Sequence, residues 1–259
     1  MASDRAFLTT AAFLFTLSAA VTIVWSAAMS GMGDMAMPGG WTMSMAWMCM
    51  NGGSWIEATM SFLVMWLVMM VAMMLPALVP FLRQYRAAVG RAGANRLGWL
   101  TALAGLSYFA VWAALGLAVF PLGVILAGAT MQEPQLARAV PLAMGGTVVI
   151  AGLLQFIPWK AHHLACCRAI PAGSRRLPAH AFTALQQGLR YGRHCVLCCA
   201  NLMAVLLVIG LMDWRAMAAV TAAITLERLT PASMRMAEAV GAVTVGAGLL
   251  LIVRAAGLS

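Results

Sequence analysis

The sequence predicts an all-α fold, a polytopic transmembrane helical bundle of about seven spans, and three observations predict it. Of 259 residues, 63% are hydrophobic and only 9% are charged, where an ordinary globular domain is roughly a quarter charged. Mean hydropathy is +0.92. The apolar residues fall in long runs, and the basic residues sit in the connectors between them. So few charges cannot cover the surface of a soluble domain of this size. The net charge of +9 is almost all arginine, with Lys160 the single lysine. These cations are dispersed rather than gathered on one basic domain, which excludes nucleic acid as a partner and makes the lipid bilayer the expected one.

Each run is near the roughly 20 residues needed to cross a bilayer. They are placed at about 7–28, 56–80, 98–120, 139–158, 196–212, 215–229 and 237–254. The first is long and has no convincing small-residue cleavage site after it, so it is expected to be a retained anchor rather than a signal peptide. The second ends among Pro76 and Pro80, and the third could continue past Pro121. The sixth is short and interrupted by Glu227 and Arg228, so six to eight spans fit. With the N-terminus cytoplasmic, thirteen of the sixteen basic residues lie inside and only Arg138, Arg215 and Arg254 lie outside. The positive-inside rule therefore predicts a bacterial inner-membrane protein with a cytoplasmic N-terminus and a periplasmic C-terminus.

The outside connector, 29–54, holds eight methionines: Met29, Met32, Met35, Met37, Met43, Met45, Met48 and Met50. Cys49, Trp41, Trp47 and Asp34 lie among them. Thioethers are soft, uncharged donors suited to Cu(I), and glycines between them let the chain wrap several sulfurs round one ion. The same residues also suit an interfacial apolar loop. The second span carries Met65, Met69 and Met73 at steps of four on one helical face, with Met70 and Met74 in the next row. Met69 and Met73 are either thioether ligands or packing residues. Glu57, near the outer end, is a mouth ligand or an interfacial charge.

The inside connector, 159–194, gathers the other ligand-type residues. Cys166, Cys167, Cys195, Cys198 and Cys199 lie in it or just beyond it, as do His162, His163, His180 and His194. Helical spacing puts His163 and Cys167 on one face, and Cys195 with Cys198 and Cys199 on another. Two such sets on adjacent helices supply thiolate and imidazole for Cu(I) or Zn(II). The cytoplasm is reducing, so disulfides are not expected there. Against this stands cysteine as a small hydrophobe. C-x-x-C is also a redox motif, but no βαβ pattern accompanies it. Glu227, an acid at membrane depth, needs a partner; Arg228, Arg190 or a metal ion would serve.

The runs MWLVMMVAMMLP from Met65, QFIPWKAHHLACCRAIP from Gln155 and GLRYGRHCVLCCANLMAVLLVIGLM from Gly188, with the later ITLERL, carry a resemblance. They resemble, over roughly residues 55–230, a bacterial family of uncharacterised domain described as predicted metal-binding integral membrane proteins. The resemblance implies a multi-helix membrane fold and a metal site, with no established reaction. In the family's pattern two cysteines four apart follow the lysine. The first position falls on His163 and the second on Cys167. The later cluster falls on Cys195, Cys198 and Cys199, and the acidic residue on Glu227. A glycine and a tryptophan of the pattern fall on Leu197 and Ala200.

Joined together, these readings predict a soft-metal protein acting in trafficking, uptake or metallocentre assembly, with copper as Cu(I) the expected ion. Copper is captured by Met43, Met45, Met48, Cys49 and Met50, passes Met69 and Met73, and is held by His163, Cys167, Cys195, Cys198, Cys199 and Glu227. A periplasmic metallochaperone or a larger membrane complex is the expected protein partner. No Walker motif is present, and the chain reads as a carrier rather than an enzyme. Zinc and haem are the alternative cofactors. Two other classes stay open: a membrane oxidoreductase using haem or the metal site for chemistry on a lipophilic substrate such as a quinone, and a structural subunit of a larger complex.

Overall fold

The computed structural model describes residues 2–31, 35–38, 40–43, 54–89, 96–168, 177–211, 213–230 and 232–257. These residues form α1 (Ala2–Gly31), a hairpin of β1 (Met35–Met37) and β2 (Trp41–Met43), α2 (Trp55–Val89), α3 (Leu97–Gln132), α4 (Pro134–Leu153), α5 (Pro158–Arg168), α6 (Ala181–Ile209), α7 (Trp214–Leu229) and α8 (Ser233–Ala255). The fold is the expected helical bundle, with one short hairpin added. Six helices, α1, α2, α3, α4, α6 and α8, are long and apolar enough to cross a membrane. The sixth span, expected at 215–229, is α7, whose 16 residues extend about 24 Å, short of an about 30 Å hydrocarbon layer.

Helix boundaries also move. α2 continues through Pro76 and Pro80 to Val89, and α3 continues through Pro121. Proline inside a long apolar helix is tolerated where neighbouring groups satisfy the freed carbonyls. Between the two prolines of α2, the Ala77 carbonyl, which is not itself one of those freed, accepts a further hydrogen bond from Tyr191 Oη at 3.1 Å and ties this stretch to α6. The connector expected at 159–194 is largely helical: α5 occupies its start, and α6 begins at Ala181 rather than near 196. Ser54 and Glu57 form a capping box at the start of α2, with the Ser54 amide donating to Glu57 Oε2 and the Glu57 amide to Ser54 Oγ. Asp213 caps α7 by accepting from the amides of Arg215 and Ala216.

The hairpin lies in the Met-rich connector. Met35 pairs with Met43 and Met37 with Trp41, and Gly40 supplies the positive φ of 74° that the turn requires. Trp41 Nε1 donates to the Ala137 carbonyl at 2.8 Å, so Met37 and Met43 are buried against Ala127 and Ala137. Met45, Met48, Cys49 and Met50 lie outside the described residues.

α2 and α6 are the inner helices, and the others wrap them. Trp66 of α2 donates to the Trp112 carbonyl of α3 at 2.9 Å, lying flat over Gly116, where a Cβ would come within 2.7 Å of the indole. α4 and α8 pack along antiparallel glycine steps: Gly145 meets Gly248, and Gly152 meets Gly241. α3 and α6 touch at Gly188, where a Cβ would fall on Ser107 Oγ and the Ala104 carbonyl. Gly188→Ala must push α6 off α3 against backbone. It is expected to lower stability by about 1–3 kcal/mol, read as a lower thermal unfolding midpoint of the purified protein. The same substitution at Gly105, which meets nothing within 4 Å, should leave that midpoint in place.

Candidate functional site

α5, α6 and α7 meet in a buried pocket of sulfur. Cys167 of α5 stands beside Cys198 of α6, and Cys198, Cys199 and Cys195 are neighbours along α6. All four are buried and carry free thiols. The spacing of α6 explains the cluster, because positions 195, 198 and 199 fall on one face of consecutive turns. Tyr108 of α3 closes one end, its hydroxyl 2.9 Å from Cys195 Sγ.

The pocket is charged as well as soft. Arg228 of α7 points Nη2 at Cys167 Sγ (3.6 Å) and Cys199 Sγ (3.5 Å), and Nη1 at Tyr191 Oη (3.3 Å). The guanidinium is buried, its Nε has no hydrogen-bond partner, and among the described residues no carboxylate forms a salt bridge with it. Glu227 faces the other way. Its Oε2 pairs with Lys160 Nζ at 2.8 Å, and its Oε1 accepts from Gln155 Nε2 at 2.9 Å. Lys160 also donates to the Cys198 carbonyl at 2.8 Å. Both members of this ion pair are 1% exposed. Glu227 is therefore linked to α6 through Lys160 and the Cys198 backbone, and its partner is that lysine rather than Arg228 or Arg190. A hydrogen bond from Cys198, with Arg228 beside it, holds the Cys167 thiol below its ordinary pKa in spite of burial.

His163 is placed next to a residue that spacing alone did not select. Its Nδ1 lies 3.2 Å from Nδ1 of His194 on α6, with Trp159 edge-on to the ring. Burial, with His162 and Arg193 nearby, lowers the His163 pKa, which favours the neutral, ligand-competent imidazole. On the outer side of α5, His162 Nε2 lies 3.7 Å from Cys166 Sγ. Met69 and Met73, with Met70 and Met74, are buried in the same continuous core as the thiols. Met43 is remote from them, in the hairpin cluster.

Among the described residues, no three His, Cys, Asp or Glu side chains stand where they could jointly hold a metal ion. What the pocket offers is pairs of sulfurs under one buried cation. The donor set fits a soft monovalent ion that takes two thiolates. Beside Arg228, named above as a candidate partner of Glu227, the site contains Lys160, Tyr108, Tyr191 and Gln155, none of a residue type that ligates a soft metal. The one available signal was Lys160, the only lysine in the chain.

Residues 63–251 match the model of a family described as PpoB2, copper chaperone. No curated protein and no solved structure matches the chain.

Proposed function

We propose that this chain, which belongs to the PpoB2 copper chaperone family, is an integral membrane protein that holds Cu(I) on buried thiolates and passes it to a recipient protein or metallocentre. The observation that carries this reading is Arg228. Lys160 and Glu227 cancel, so the pocket keeps one positive charge, and the acceptors facing it are sulfurs and a phenol. A Cu(I) ion on two thiolates carries one negative charge and neutralises that excess. Zn(II) on two thiolates is neutral and on four carries two negative charges; the three-thiolate Zn(II) site that would match needs three donors round one point, which the described residues do not offer. Burial of an unmatched guanidinium is costly, which makes the charge state of the pocket selective.

The ligands we assign are pairs of thiolates drawn from Cys167, Cys195, Cys198 and Cys199, with Lys160 and Glu227 fixing the α5–α6–α7 geometry and His163 one helical turn before Cys167 on α5. Large apolar side chains such as Leu106, Ile125 and Val243 point outward, which suits lipid contact in the bacterial inner membrane. The arginine distribution supports a cytoplasmic N-terminus, a periplasmic C-terminus and a cytoplasmic thiol pocket. The Met-rich connector then faces a periplasmic donor such as a metallochaperone, and Met69 and Met73 supply thioethers between the two faces. Affinity rises from thioether to thiolate, which gives direction without an energy source.

Replacing Met43, Met45, Met48 and Met50 together by leucine, with Cys49→Ser, is expected to lower the copper bound per chain after exposure to limiting Cu(I). Copper content equal to wild type at every loading concentration would assign those residues to packing. The thiol assignment is tested by metal analysis of anaerobically purified Cys198→Ser/Cys199→Ser protein. It is expected to lose its tightly held copper, and full retention would exclude these cysteines as ligands.

A further inference from the structure

The contacts between α5 and α6 repeat after one helical turn. His163 meets His194, and four residues on along both helices Cys167 meets Cys198. One turn is about 5.4 Å along a helix, so a pair of imidazole nitrogens stands one step from a pair of thiols. We infer that His163 and His194 form a second, weaker Cu(I) site, a loading rung from which the ion steps to Cys167 and Cys198. This rests on the copper reading above and adds to it a site and an order of binding.

The distances fit. Metal–imidazole bonds of about 2.0 Å place two ligating nitrogens about 4 Å apart, and the two Nδ1 atoms are 3.2 Å apart. The rings need to separate by less than about 1 Å. At 3.2 Å the two neutral rings share a hydrogen bond when one of them carries its proton on Nδ1. When Cu(I) arrives, the ring that donates it shifts its proton to Nε2, so both imidazoles stay neutral and no proton is lost. The complex then carries one positive charge, and the nearby Arg193 guanidinium opposes it. Such a site holds copper weakly. On transfer two Cu–N bonds break and two Cu–S bonds form, copper remains Cu(I), and two thiol protons leave to water. The His163–His194 hydrogen bond re-forms. The product is an anion facing Arg228 one turn on, so the step runs from a cationic rung to a cation-stabilised one.

The test is an anaerobic titration of the full-length protein with Cu(I) against a chromogenic Cu(I) chelator, with stopped-flow loading and X-ray absorption. Wild type is expected to bind a tight equivalent with sulfur scattering and a weaker equivalent that adds imidazole scattering. His163→Gln/His194→Gln is expected to lose the weak equivalent, keep the tight one and load it about tenfold more slowly. Wild-type loading rate and stoichiometry in the double variant would overturn the inference. So would sulfur-only scattering for both equivalents in wild type, a measurement that does not depend on the variant folding. If wild type lacks the tight equivalent but the weak one vanishes with the histidines, the thiol reading fails and the imidazole rung stands.

Discussion

Arg228→Gln is expected to lower the Cu(I) affinity proposed for the thiol pocket by at least about a hundredfold. The guanidinium makes two charge-assisted contacts to sulfur, at Cys167 and Cys199, and such bonds contribute about 1.5–3 kcal/mol each. Their combined loss, about 3 kcal/mol at the low end, is a little over two decades in affinity. The copper-free protein loses much less, because the substitution also removes a buried cation that no carboxylate balances. Arg228→Lys keeps the charge but not the fork that spans two sulfurs, and it should fall between the two. Competition with a Cu(I) chelator reads the affinity, and thermal unfolding of the copper-free protein reads the fold. If Arg228→Gln binds Cu(I) as wild type does, the buried charge is structural and the dithiolate is not what it balances.

The second large effect lies in the ion pair behind the sulfurs. Lys160→Met leaves Glu227 with Gln155 alone, and Glu227→Gln leaves Lys160 with the Cys198 carbonyl alone. Breaking a buried pair from one side costs about 3–5 kcal/mol, whereas removing both charges is far milder. Each single variant should therefore unfold at clearly lower temperature or denaturant. Lys160→Met/Glu227→Gln should recover most of the loss, with a favourable coupling energy in the double-mutant cycle. Because the double variant leaves the excess charge at Arg228 unchanged, copper binding should recover along with stability. Single variants within about 0.5 kcal/mol of wild type would show that the pair is not the clamp between α5 and α7.

Much of this architecture is readable in the sequence, and the failures have physical causes. Apolar runs place six helices correctly, because crossing length and charge depletion are properties of a single segment. α7 misleads because its apolar composition resembles that of its neighbours, while its length is set by the Asp213 cap and the turn after Leu229. Positions 195, 198 and 199 share a face by helical period alone, and the structure keeps them together. His163 and Cys167 also share a face, yet α6 presents a different partner to each turn, so one meets an imidazole and the other a thiol. That division depends on how two helices sit against each other, which no spacing within one helix specifies. Glu227 finds Lys160 across 67 positions of chain for the same reason. The hairpin has a sequence signature: Met35-x-Met37 and Trp41-x-Met43 flank Pro38-Gly39-Gly40 with the two-residue period of strands around a turn. The methionine content suggested a flexible wrap instead.

The central claim is that copper sits on the buried thiols beside Arg228. It is tested most directly by X-ray absorption and copper stoichiometry on anaerobically purified wild type beside Cys195→Ser/Cys198→Ser/Cys199→Ser. Wild type is predicted to carry one tightly held Cu(I) with sulfur ligands that survives chelator wash, and the triple variant to carry none. A triple variant that retains the chelator-resistant copper, or a wild-type ion with no sulfur in its shell, would contradict it.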